Sequence, residues 1–157
     1  MDGVTSKIQT QLNNKVENET GNWTPSPSHG TVSTRSGYYV RVGSLVYVQG
    51  HVTFSNKPSG SGTFQISGLP FPTYGSYNRT GNFGLDAGSD GAAWLDSGNY
   101  TAVNVGIQFT STGLRPFYQH KQNDSRDYIW NGTQFGDILG TGGDFDFSGV
   151  YRTSSSS

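Results

Sequence analysis

From Leu45 to Phe54 the chain alternates with a period of two. Val46, Val48, Val52 and Phe54 fall on one side, and Tyr47, Gln49, His51 and Thr53 fall on the other. Successive side chains of an extended strand point to opposite faces, so this pattern marks a half-buried antiparallel strand. Thr101, Val103, Val105, Ile107 and Phe109 repeat it. Gly37 and Gly43-Ser44 punctuate the runs around the first alternation. Pro58-Ser59-Gly60, Asp90-Gly91, Ser97-Gly98, Asn131-Gly132 and Gly142-Gly143 supply further turn signals.

Strands are predicted at Thr31–Thr34, Tyr38–Val42, Leu45–Phe54, Thr63–Ser67, Ala92–Leu95, Tyr100–Phe109, Leu114–His120, Tyr128–Trp130 and Phe145–Arg152. Short strands separated by turns lead to an all-β expectation: an antiparallel β-sandwich, jelly-roll-like or a related Greek key. No fixed internal period is visible, which argues against propellers and solenoids. Aromatic residues reach 13% while charged residues are also 13%. Disordered chains combine high charge with few aromatics, so this chain is expected to fold.

The N-terminal segment differs. Val4, Ile8, Leu12 and Val16 recur every four residues among Gln, Asn, Lys and Glu, which predicts a helix from Val4 to about Thr20, stopped at Gly21. Its apolar stripe is narrow, closer to a coiled-coil seam than to a core-facing surface. These four residues are therefore expected to meet partner helices in a short multi-helix stalk. The expected organisation is a helical stalk over residues 1–22, a β-sandwich knob over 23–153 and a flexible tail at 154–157.

Charge and composition narrow the function classes. A net charge of -1 with scattered Lys and Arg offers no footprint for nucleic acid. No apolar run approaches the roughly 20 residues that span a bilayer, so no membrane insertion is expected. The chain lacks the basic and hydrophobic regions of a signal peptide at its start. With no Cys it has neither disulfides nor thiolate zinc sites.

No motif of catalysis stands out. His29, His51 and His120 are far apart, and no Gly-x-Ser-x-Gly supports a Ser–His–Asp triad. His51 falls on the polar face of its strand, as a surface or interface residue would. Asp86-Ala87-Gly88-Ser89-Asp90-Gly91 resembles the start of a calcium loop, but Gly88 occupies the third position and Ser97 replaces the closing Glu. It reads as a polar turn, and no metal or other cofactor is expected. Asp144 and Asp146 alternate with Phe145 and Phe147 as a solvent face should. Asn-x-Ser/Thr sequons occur at Asn18, Asn22, Asn78, Asn99, Asn123 and Asn131, as a composition rich in Asn, Ser and Thr favours.

Two less regular regions, Pro70 to Gly91 and Gln119 to Asp137, concentrate Tyr, Trp, Asn and Arg. Such loops combine rigid aromatic area with adaptable hydrogen bonding. Tyr74, Tyr77, Arg79, His120, Arg126, Tyr128 and Trp130 are the candidate recognition residues.

Three ordered motifs, GNWTP at Gly21–Pro25, SGYYVRVGSLVYVQGHVTF at Ser36–Phe54 and ISGLPFP at Ile66–Pro72, resemble the distal domain of bacteriophage tail fibres and related virion appendages. The lead-in KVENETGNWTP is similar to the passage from stalk to β-domain in those proteins. The resemblance covers residues 15–72 of the 157. It implies a homotrimeric virion protein, with Val4, Ile8, Leu12 and Val16 as the trimerisation residues facing the three-fold axis and outer loops that bind a host surface glycan or protein; with the catalytic motifs missing, no enzyme is expected. The length suits the distal piece of a fibre or a small separate virion protein. The metal-binding His-x-His of membrane-piercing spike tips is absent. Depolymerase spikes resemble long β-helices, which this chain does not. The alternative expectation is a trimeric capsid decoration or head-fibre protein, bound to the major capsid protein. Either way the expected location is the virion, among other virion proteins.

Overall fold

The computed structural model describes residue 8 and residues 18–75, 77–91, 96–97, 100–120 and 128–154. The strands in chain order are β1 (Asn18–Trp23), β2 (Ser26–Pro27), β3 (Thr31–Val42), β4 (Leu45–Asn56), β5 (Ile66–Ser67), β6 (Asn78–Asp86), β7 (Asp96–Ser97), β8 (Tyr100–Thr110), β9 (Gly113–His120) and β10 (Tyr128–Ile129). Helix α1 (Gly132–Leu139) and strand β11 (Asp144–Arg152) follow. All ladders are antiparallel. The strands form one curled sheet in the order β1-β3-β4-β11-β6-β8-β9-β5-β2, with β10 on β9 and β7 on β8.

The alternation in β4 is realised as read. Val46, Val48, Val52 and Phe54 are fully buried, and Leu45, Tyr47 and Gln49 face outward. β11 contributes Phe145, Phe147 and Tyr151 to the same interior, and β8 contributes Ile107 and Phe109. Phe64 stacks on Phe135 of α1 at 4.2 Å between centroids, and Phe145 meets Phe135 edge-on at 5.2 Å. Burying one such side chain stabilises a fold by about 1.5–3 kcal/mol, so this aromatic cluster is a principal source of stability. Tyr151 adds a polar tie. Its hydroxyl donates to the Phe71 carbonyl at 2.8 Å and accepts from the Phe71 amide at 3.2 Å. Burial pushes its pKa up to about 12.

Several elements differ from expectation. Asn18–Trp23 is a strand, although the helix was expected to reach Thr20 and the stalk residue 22. Tertiary pairing decides the matter: Glu19 accepts the Tyr39 hydroxyl at 2.6 Å, and Trp23 is buried. The apolar spacing itself ends at Val16, ahead of this strand. Ile8 is helical and half exposed. Val4, Leu12 and Val16 lie outside the described residues.

The two strands expected at Thr31–Thr34 and Tyr38–Val42 are one strand, β3, with register irregularities near Val32. The span expected at Thr63–Ser67 shortens to β5, with Thr63 bridging to Asn131. Ala92–Leu95 lies outside the described residues.

Strand β6 and helix α1 lie in regions that read as irregular. Asn131-Gly132, which resembles a turn, is a helix start. The Asn131 side chain accepts from the Gln134 amide at 2.8 Å, and the Gln134 side chain accepts from the Asn131 amide at 3.0 Å. This reciprocal capping box satisfies two donors that a helix N-terminus otherwise leaves open. Gly140 closes the helix with φ +76°.

The turn after β6 is a clamp as well. Asp90 accepts from the Thr141 amide, which holds its carboxyl below the usual carboxylate range; Lys57 acts in the same direction.

Candidate functional site

A groove of about 520 Å³ lies on the outward face of the sheet. The ladders assemble it from two adjacent rows of side chains. One row runs Asn22–Tyr38–Gln49–Ser148–Asn82, across β1, β3, β4, β11 and β6. The other runs Ser36–His51–Asp146–Gly84. Tyr47 flanks the first row, and both Tyr38 and Tyr47 are about two-fifths exposed, at 41% and 38%.

The inner face beneath these rows explains the concavity. A Cβ at Gly37 would stand 2.6 Å from the Trp23 carbonyl oxygen, and one at Gly50 would stand 2.2 Å from Cζ of Phe147. Without those side chains, Trp23 and Phe147 approach the backbone of the strands closely and pack edge-on at 5.9 Å. The Trp23 indole N–H reaches the carbonyls of Tyr38 and Gln49 at 3.3 and 3.2 Å. The sheet is thus held close to its core directly under the groove.

One end of the groove is a fixed polar cluster. His51 Nδ1 lies 2.6 Å from Asp146 Oδ1, and Nε2 lies 3.1 Å from the Thr53 hydroxyl. Thr53 donates to Asp144 Oδ1 at 2.5 Å, so its hydroxyl links His51 to a second carboxylate. Asp86 pairs in register with Asp144, which gives this end an acidic character.

The arrangement presents hydroxyls, amides and carboxylates beside two aromatic faces. Concave sites of this kind hold a ligand by apolar contact and orient it through a few polar groups. Among the described residues, no three His, Cys, Asp or Glu side chains gather as a metal site.

The residues expected from sequence are placed elsewhere. Tyr74 and Tyr77 are 55% exposed, and Arg79 is exposed beside them. Trp130 is in the core at 3%, stacked on Tyr118 at 4.6 Å, so it packs rather than faces a partner. That is a correction: an aromatic preceding a helix cap serves the hydrophobic interior here. His120 ends β9 and Tyr128 begins β10, but their side chains, and Arg126 altogether, lie outside the described residues. Tyr38, Tyr47, Gln49, His51 and Asp146 were not singled out as binding residues. In β4 the signal was present, since Tyr47, Gln49 and His51 share its polar face; in β3 it was not, since Tyr38 shares the outward face with Val40 and Val42 while Tyr39 and Arg41 are buried.

No family model matches the chain, and no curated protein matches it in sequence.

Proposed function

We propose that the chain is the distal, surface-binding domain of a bacteriophage tail fibre or related virion appendage, acting as a homotrimer without catalysis. The observation that carries this reading is the groove's origin. Its residues lie mainly on the strands built from the motifs that resemble such domains, supplemented by β6 and β11. Tyr38 and Tyr47 offer faces for the apolar side of a sugar ring. Asn22, Gln49, Asn82, Ser36 and Ser148 offer partners for its hydroxyls. A host surface glycan is the ligand this set suits best.

In this reading the curled sheet is the knob, its halves forming the two layers of a jelly-roll-like or related Greek-key sandwich. The segment ahead of β1 is the stalk. The test is to add fluorescently labelled protein to candidate bacterial hosts while measuring its mass by light scattering. A trimer that coats cells supports the reading, and a monomer that leaves every host bare contradicts it.

A second reading, a trimeric capsid decoration protein, draws on a different observation. Val42, Leu45 and Val150 form an exposed apolar strip beside the groove, in adjacent register positions. Such a strip suits a protein partner better than a sugar. Co-sedimentation with capsids, without cell binding, would favour it.

A further inference from the structure

Three arginines meet two exposed tyrosines around the loop leading into β6, and we infer that they bind the carboxylate groups of an acidic surface polysaccharide. The inference rests on the attachment reading and adds to it a second site with a ligand class.

Arg115 is the best defined of the three. Its Nε donates to Gln108 Oε1 at 2.8 Å, and Gln108 is only 2% exposed. A buried amide therefore fixes the guanidinium from its inner side and directs its terminal nitrogens elsewhere. Arg115 also lies over the Tyr77 ring, 5.4 Å from its centroid. Arg79 Nη1 donates to the Tyr77 carbonyl at 3.4 Å. Three residues earlier, Arg152 lies over Tyr74 at 4.6 Å, and the Tyr74 amide donates to the Arg152 carbonyl at 2.7 Å. Neither Arg115 nor Arg152 is paired with a carboxylate among the described residues.

Backbone conformation supports the same assignment. Tyr77 has φ 64°, the one positive value outside glycine among the described residues. For a bulky residue that conformation is strained, and such strain concentrates at ligand sites. Here it accompanies an exposed aromatic ring set against a cation. The guanidinium fork matches a carboxylate in two parallel hydrogen bonds, and the tyrosine faces suit the sugar rings between charges.

Charge distribution separates an acidic polysaccharide from nucleic acid. β6 and β11 carry Arg79 and Arg152 toward one end and Asp86, Asp144 and Asp146 toward the other. A long polyphosphate lying along these strands would meet the carboxylates, whereas a polymer with spaced carboxylates engages the arginine end alone.

The test is affinity for alginate, a polyuronate, with neutral dextran and duplex DNA as comparisons. The wild-type protein is expected to bind alginate, to release it with salt and to ignore dextran. Arg115→Gln should weaken binding by about tenfold or more, and Arg115→Lys, which keeps the charge but loses the fork, by several-fold. Lys57→Gln removes a distant cation and should stay within about twofold. Equal losses in Arg115→Gln and Lys57→Gln would overturn the inference, as would tighter binding to DNA than to alginate. Host cells coated equally by wild type and Arg115→Gln would also overturn it, with attachment left standing. Loss of alginate binding in Arg115→Gln supports the site even if wild-type protein leaves cells bare, a result that removes the attachment reading instead.

Discussion

A methyl group at Gly50 would stand 2.2 Å from the Phe147 ring, well inside van der Waals contact. Gly50→Ala should therefore destabilise the protein by roughly 1–3 kcal/mol, measured as a shift in the urea midpoint with unchanged slope. Because the same glycine underlies the groove, the variant should also weaken whatever the groove binds.

Tyr151 makes a prediction of different form. Its pKa is raised to about 12 by burial, against an ordinary value of 10.0. Above pH 10 the unfolded chain releases this proton while the folded chain keeps it, so stability falls as pH rises. The contribution is fully present below pH 10 and is lost as pH climbs through about 12. Denaturation midpoints at pH 9 and pH 11 should differ more in the wild type than in Tyr151→Phe. Equal differences would contradict the assignment. Trp130→Ala belongs to the same scale as a packing mutant: its burial predicts unfolding before any specific loss of recognition.

At the scale of elements, α1 carries the clearest prediction. Removing its cap with Asn131→Ala should cost about 1 kcal/mol, read from thermal or chemical denaturation. Its sequence held the signals of a helix: Asn and Gln three apart, Phe135 and Leu139 on one face, and Gly140 to stop it. Asn131-Gly132 also spells a hairpin turn, and that local meaning dominates until the partners of Phe135 are known. The long strands β4 and β11 were legible because one face of each is wet and the other dry, whereas β8 is buried on both faces from Gly106 to Thr110. β6 was less legible, because Gly81 and Gly84 interrupt its alternation. Gly81 exists for contact, since a Cβ there would press on the Ser148 carbonyl and on Ile107. β1 was obscured for another reason. Six residues reading NETGNW have little strand character until Tyr39 and Glu19 meet. The groove was legible only residue by residue. The outward positions of β4 could be read, but those of β3 could not, since Tyr38, Val40 and Val42 face outward over buried Tyr39 and Arg41; the alignment with Asp146 and Asn82 depends on a strand order that joins β4 to β11 and β11 to β6.

At the scale of the whole molecule, the curled sheet separates its chemistries. The groove lies across β1, β3, β4, β11 and β6, with the acidic cluster at one end. The apolar strip of Val42, Leu45 and Val150 stands beside it, and the arginine–tyrosine loop lies where β6 begins and β11 ends. A net charge of -1 thus conceals a molecule with distinct acidic, apolar and basic surfaces.

The most direct test of the attachment account is the coating of host cells by wild-type protein and by the double variant Tyr38→Ala, Tyr47→Ala, compared at matched oligomeric mass. Both tyrosines are outward on the sheet, so the variant should fold and associate as the wild type does. The account predicts that wild-type protein coats cells and that the variant loses at least about tenfold in apparent affinity. Equal coating by the two proteins would contradict the assignment of the groove as the receptor site.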